Sequence, residues 1–270
     1  MLDQSLEYFT NNGLIHPNHH GFLPNHSTAT AIQQLVDLFY KSADLGKLSA
    51  AVMLDLCAGF DVVNHRILID KLKLYKFDEN TILWYTDYLE NRTQCVQIES
   101  KISSFEKVPW GVPQGSNLGP FLFLLFIMEL PEVVKKENDN VLETNESEDA
   151  TESQNEENDT NNNEDEMIVF ADDNTPFTSH SDPKQLKLNV QKEADKVINW
   201  FTKNDMVISS DKTKLLIFGT HTNRHAKMIS KDINIEIKIG DDNISESSSE
   251  KLLGIILNNN LSWKNHFNGD

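Results

Sequence analysis

At 270 residues, 39% of them hydrophobic, the chain can bury one substantial core or a two-lobed pair, and two cysteines, Cys57 and Cys95, are too few for a disulfide framework. A formal charge of −18 argues at first sight against a polyanionic partner, because nucleic-acid binders present a basic face. That exclusion fails: thirteen of the 42 acidic residues lie in residues 137–166, which hold no Lys or Arg, so the balance elsewhere is only −5, with 24 basic residues available for a local patch. The longest apolar run, FLFLLFIM at 121–128, is well short of the roughly twenty residues that cross a bilayer. No charged-then-apolar leader opens the chain, and the expectation is an intracellular protein, of the cytoplasm or nucleus, that does not contact membranes.

In chain order, residues 28–45 (TATAIQQLVDLFYKSADL) set Ile32, Leu35, Val36 and Phe39 at helical spacing, with Ser27 or Thr28 as cap and Gly46 as stop. SAAVMLDL (49–56) is short and continuously apolar up to Asp55, the pattern of a strand buried on both faces. HRILIDKLKLYKF (65–77) and NTILWYTDYLE (80–90) read as helices, and TQCVQIES (93–100) with SFEKVPW (104–110) as a hairpin. After the turn-rich GVPQGSNLGP, the run FLFLLFIMEL is apolar all round and predicts a buried core helix that ends near Glu129 and Pro131.

The acidic tract of 137–166 holds almost nothing to bury and cannot offset the entropy of ordering. Core-like segments resume on both sides, so it predicts a disordered insertion within one fold, not a domain boundary. MIVFADDNTPF (167–177) then reads as two strands joined by a tight turn that carries Asp172, Asp173 and Asn174. Asp182 and Pro183 open a long helix striped by Val190, Ala194, Val197, Ile198 and Phe201. KLLIFG, INIEIKI and KLLGIIL follow as three β-like segments.

Asp55 ends one buried strand and Asp172 with Asp173 occupy a hairpin turn, so pairing those strands brings three carboxylates to one edge of a sheet. Like carboxylates that close must raise a pKa or share cations. Oxygen-only ligands suit Mg²⁺ held with waters and substrate phosphates, and the chemistry such a site supports is two-metal phosphoryl transfer.

The segments LDLCAGFDVVNH, GVPQGSNLGPFLFLLFI, FADD, WFTKNDMVISSDKTKLLIF and LLGIILNNNLSWKNHF, preceded by HHGFLPNHSTATAI, resemble in order and spacing the reverse transcriptase domain of non-LTR (LINE-like) retrotransposons. The resemblance spans nearly the whole chain, apart from the acidic insertion. It implies an α+β fold, the palm of a right-hand polymerase: an antiparallel sheet backed by helices, with partial fingers and little or no thumb. The divisions it implies are residues 1–134 for partial fingers and the first part of the palm, 135–166 for the insertion, and 167–270 for the rest of the palm and the start of the thumb connection. The activity implied is RNA-directed DNA polymerisation on an RNA template and DNA primer with deoxynucleoside triphosphates and two Mg²⁺ or Mn²⁺ ions.

Residue by residue, the resemblance makes Asp55 and Asp172 the principal metal ligands and Asp173 the third carboxylate. Phe60 matches the aromatic that closes under the nucleotide sugar and excludes a 2′-hydroxyl. Leu56, Gln114 and Gly115 fall on the nucleotide-binding positions, and Lys212 on a lysine near the pyrophosphate leaving group. Cys57, Ala58 and Gly59 stand where Ser-Lys-Ala is usual, and MELP where Asn-Asp-Leu-Pro is usual, but no metal ligand is lost.

Taken singly, these features have plainer readings: an Asp-Asp turn is most often a solvated hairpin tip, Phe60 a core residue, and Lys212 a solvated lysine. Their order along one chain favours the site. None of the nine histidines has zinc-type spacing with cysteine. Two other classes fit the composition: an inactive truncated relic of a retroelement that binds nucleic acid at most, and a scaffold whose acidic tract recruits basic partners.

Overall fold

The computed structural model describes residues 1–135, 165–228 and 233–261. It begins with α1 (Leu2–Asn11), α2 (Thr28–Asp44), β1 (Leu48–Met53), α3 (His65–Leu74) and α4 (Glu79–Leu89), and the hairpin follows as β2 (Thr93–Gln94), β3 (Gln97–Ile98), β4 (Lys101–Ile102) and β5 (Glu106–Lys107). Next come α5 (Gly119–Ile127), α6 (Leu130–Lys135), β6 (Glu166–Phe170), β7 (Asp173–His180) and α7 (Pro183–Lys203). The remainder is β8 (Lys214–Phe218), α8 (His221–Lys227), β9 (Glu236–Ile239), β10 (Asp242–Ser247), β11 (Ser249–Leu252) and β12 (Ile255–Asn258).

One six-stranded sheet, in the order β6-β7-β1-β8-β10-β9, organises the molecule. It is antiparallel except where β10 runs parallel to β8. Alternation along β1 explains why its sequence is apolar throughout: Leu48, Ala50, Val52 and Leu54 join the core formed with α5 and α7, while Ala51 and Met53 join the opposite core with α2. β8 divides in the same way, Leu215 and Ile217 to one face and Leu216 and Phe218 to the other.

Local signals behave as expected where caps and periodicity coincide. Ser27 caps α2 in a reciprocal capping box with Thr30, and Asp182 caps α7, with Pro183 in its first turn. Residues 121–128 are all buried, at most 3% exposed. Among the described residues no helix is long and apolar enough to cross a membrane.

The structure departs from the sequence reading in several places. Asp173 and Asn174 are not turn residues: Asp173 pairs with Phe170, Asn174 exchanges backbone hydrogen bonds with Leu54, and the turn is left to Ala171 and Asp172. KLLGIIL is a hairpin, because Leu253 (φ 48°) and Gly254 (φ 88°) both take the left-handed conformation of a tight two-residue turn. The apolar run 121–130 breaks at Met128–Glu129, and Pro131 lies inside the short helix α6. Helices α1 and α8 and strand β10 are additions to the sequence reading.

The expected disordered insertion lies, from 136 to 164, outside the described residues. Its expected bounds take in three described positions: Asp165, whose Oδ1 accepts from Thr178 Oγ1 at 2.6 Å, and Lys135 at the end of α6 and Glu166 at the start of β6, whose charged ends are 4.0 Å apart.

Candidate active site

The carboxylates are assembled by the two central strands. The Leu54–Asn174 bridge extends the β1–β7 ladder and sets Asp55 beside Asp173, and both line a recess of about 90 Å³ with Asn174, Lys212, Lys214 and Lys251. Asp55 is held on its other side by residues 207–209: Ser209 N donates to Asp55 O (2.9 Å) and Cys57 N to Val207 O (2.9 Å). The same segment delivers Lys212, whose Nζ is 3.5 Å from Asp55 Oδ1. With the two side chains 65% and 42% exposed, this ion pair orients more than it stabilises.

Burial first, then the charges of Asp172 and Asp55, push the Asp173 carboxyl up to about 6. Asp172 is exposed on the turn, and its backbone oxygen accepts from Asn174 Nδ2 at 2.8 Å. Among the described residues no three His, Cys, Asp or Glu side chains form a ready metal cage. Two neighbouring carboxylates nevertheless suit Mg²⁺, which is commonly held by one or two carboxylates plus waters and substrate phosphates, and a cation there would offset both the burial and the like charges that make the ionised Asp173 costly.

A second cluster lies just downstream of Asp55. The half-buried Phe60 ring stacks on Phe123 at 4.4 Å and meets Phe22 edge-on at 5.9 Å. Its carbonyl accepts from Val112 N (2.8 Å), and Val63 O accepts from Gly111 N (2.8 Å), so the loop 111–115 is docked on residues 60–63. Gly111 is required there: at φ 85° an added Cβ would lie 2.8 Å from Asp61 O. Gln114 donates from Nε2 to Asp61 Oδ1 at 2.8 Å, and Gly115 turns the exposed loop at φ 79°.

Of the residues expected at the site, Asp55, Asp173 and Lys212 share the recess, and Phe60, Gln114 and Gly115 group around the docked loop. Leu56 is not brought to either: it is 3% exposed, packs into the core and bridges to Ile208. An apolar side chain between two solvent-facing positions has nowhere else to go.

Residues 18–22, by contrast, matter more than the sequence alone reveals. Val169 N donates to Asn18 O (3.0 Å) and His20 N to Val169 O (2.8 Å), covering the edge of β6. His19 and His20 are structural: His19 Nε2 lies 2.9 Å from Met128 O, and burial lowers its pKa to about 4, while His20 is held between Thr30 and Gln34. Gly21 then passes the Asp172 turn so closely that a Cβ would stand 2.5 Å from Ala171 N. Gly21→Ala is therefore expected to displace that turn and cost about 1–3 kcal/mol of stability. Thermal melting is the check, and an unchanged midpoint would show that the contact is not tight.

A two-faced sheet with helices on both sides and acidic side chains at the adjoining ends of its central strands defines the palm of a nucleic-acid polymerase. The chain belongs to the reverse transcriptase (RNA-dependent DNA polymerase) family, whose pattern it matches over residues 1–257. It is 25% identical over 249 residues to the RNA-directed DNA polymerase from mobile element jockey of Drosophila melanogaster, covering 91% of this chain and 24% of that protein. It is 35% identical over 117 residues to the probable RNA-directed DNA polymerase from transposon BS of the same species, covering 43% of this chain and 13% of the relative. The chain thus spans about a quarter of the length of the jockey polymerase. Among solved structures, Candida tropicalis telomerase in complex with a fragment of telomeric RNA superposes with a TM-score of 0.58 at 15% identity, over 97% of this chain and 37% of that one. At that identity the likeness concerns the fold, and the fold is the polymerase palm.

Proposed function

We propose that this chain is the palm-centred core of an RNA-directed DNA polymerase of the non-LTR retroelement kind, adding deoxynucleotides to a DNA primer on an RNA template. The observation that carries this reading is the placement of Asp55 and Asp173 in one recess, beside the Leu54–Asn174 bridge that extends the β1–β7 ladder, with the Asp173 carboxyl raised to about 6 by burial and by its acidic neighbours. Asp55 and Asp173, with Asp172 at the turn, would hold Mg²⁺ or Mn²⁺. The ions, when bound, supply the activation of the primer hydroxyl and the charge stabilisation at the leaving phosphate.

The protein's own groups do the rest. Lys212, beside Asp55, offers a cation to the phosphates in an opening walled by protein. Phe60, locked by Phe123 and Phe22, presents a fixed ring against the sugar. The loop of Gln114 and Gly115 meets the base pair being formed. Primer extension by the purified protein on an RNA template with Mg²⁺ tests the proposal, and a folded protein that extends nothing would overturn it. A second test addresses selectivity: Phe60→Val should admit ribonucleotides, lowering the dNTP-over-rNTP ratio of kcat/KM by about tenfold or more, since a rigid ring excludes a hydroxyl by several kT of overlap. An unchanged ratio in an active variant would remove Phe60 from that role.

A further inference from the structure

Phe22 carries two costs that the fold does not repay. Its backbone lies in the left-handed region at φ 59°, a conformation that a bulky side chain adopts only under constraint, and its ring is 43% exposed where burial would be favourable. The residues on either side supply the constraint. Gly21 is packed against the turn before Asp172, an added Cβ standing 2.5 Å from Ala171 N, and Leu23 is buried in the core that α5 and α7 share. With both neighbours fixed inward, the left-handed residue between them carries its ring outward.

Two more non-glycine residues with positive φ adjoin the same opening: Ala58 at 55°, two positions before Phe60, and Ala171 at 55°, next to Asp172. Backbone held in such conformations gathers at ligand sites, where the surrounding structure imposes it. The Phe22 ring also has a fixed place. It meets Phe60 at 87° with centroids 5.9 Å apart, and Phe60 in turn stacks on the buried Phe123 at 4.4 Å, so Phe22 and Phe60 make an apolar corner away from the core. One dipeptide thus touches both parts of the candidate site: Gly21 the turn that carries Asp172, and Phe22 the ring assigned to the sugar. A nucleotide whose phosphates reach the carboxylates and whose sugar rests on Phe60 lies along it.

On the polymerase reading above, we propose that Phe22 is a specificity-determining residue, the second wall of the sugar pocket, so that a corner of two perpendicular rings and not Phe60 alone accepts a 2′-deoxyribose and excludes a ribose. A lone ring can yield to a hydroxyl by moving off its neighbour. A second ring at right angles, held by its own backbone, denies it that path.

The test is selection between dTTP and UTP opposite a template adenine, in primer extension by the full chain. Phe22→Leu should lower the dTTP-over-UTP ratio of kcat/KM about two- to tenfold, the worth of an aromatic pair expressed as a ratio, and Phe22→Tyr, which keeps the ring, should hold it within about twofold. A ratio is insensitive to the fraction of protein folded, so a merely structural role would leave it unmoved. Phe22→Leu made in the Phe60→Val background should lower the ratio little further, because the two residues bound one corner. An unchanged ratio in an active Phe22→Leu protein, or losses that simply multiply in the double variant, overturns the role of Phe22.

Should the parent protein extend no primer, the polymerase reading fails, and nucleotide binding decides the wall by itself. Calorimetric titration of dTTP and of UTP in Mg²⁺, without a primer, should then show a preference for dTTP in the parent that Phe22→Leu reduces by the same factor. No binding, equal affinities in the parent, or a preference that survives Phe22→Leu overturns the assignment.

Discussion

Asp173→Asn is expected to abolish primer extension, by at least a hundredfold, while raising the melting temperature of the metal-free protein at neutral pH. The Asp173 carboxyl is pushed from 3.8 to about 6, first by burial and then by Asp172 and Asp55. A carboxyl with a raised folded-state pKa makes the folded chain bind the extra proton, so stability falls as pH rises from about 4 to 6 and stays lowered above that. At about 1.4 kcal/mol per unit the upper bound is near 3 kcal/mol. The recess is open to solvent, which screens the interaction, and about 1–2 kcal/mol is the expected net.

Removing the charge should recover that amount, raising the midpoint by about 2–8 °C at pH 7, with the two melting curves converging near pH 4. Mg²⁺ should stabilise the parent more than the variant, because the parent alone has the charge to hold it. Melts in chelator across pH, beside extension assays, separate the two effects. A variant that extends primers at a comparable rate would end the metal-site reading, and one that melts lower at pH 7 would show that Asp173 is not under like-charge strain.

Glu129→Ala is expected to be the most destabilising single change away from the site. Lys71 Nζ lies 2.7 Å from Glu129 Oε1 and its side chain is only 7% exposed. The ammonium also sits 4.7 Å from the Trp200 ring centre and 5.1 Å from that of Phe126, and Trp200 Nε1 donates to the same Glu129 oxygen at 3.2 Å. One carboxylate thereby ties α3 to α7 at the end of the buried helix α5.

Without it the lysine charge is stranded among rings, at a cost of about 3–5 kcal/mol, or a drop of roughly 6–20 °C. Lys71→Met removes the charge and keeps the volume; it should cost about 1 kcal/mol or less, since Glu129, 35% exposed, can turn to water. Burial already lowers the Lys71 pKa below 10.5. A base with a depressed folded-state pKa favours the folded state increasingly as pH rises toward its unfolded value, so the deficit of Glu129→Ala should shrink as the pH is raised toward 10.5. Equal costs for the two substitutions would show that the stranded charge is not what governs the pair.

The sequence shows the roles of Asp173, Lys71 and Gly21 only in part. Asp173 was legible as one of an acidic pair, because FADD stands out between apolar and β-like runs. Its greater burial than Asp172 was not: Asp173 pairs with Phe170 of β6, which makes it a strand residue and leaves Asp172 on the turn, and the ladder beside it zips through Asn174 to Leu54. Lys71 looked like any lysine on a helix until α7 brought Trp200 across it. Gly21 was visible in HHGF, but its reason, the backbone of Ala171 at 2.5 Å from a would-be Cβ, belongs to two segments 150 positions apart in the sequence.

What the sequence determined by itself is the local part. Helices α2, α3, α4 and α7 and strands β1, β6 and β8 follow from hydrophobic period, capping residues and length, all of which act within a few residues. The identity of the acidic residues follows as well, because the motif order survives an insertion. Only the tertiary structure decided how distant segments meet. The polar DNISES is a strand because β8 and β9 pair with it on either side, and no propensity within it says so.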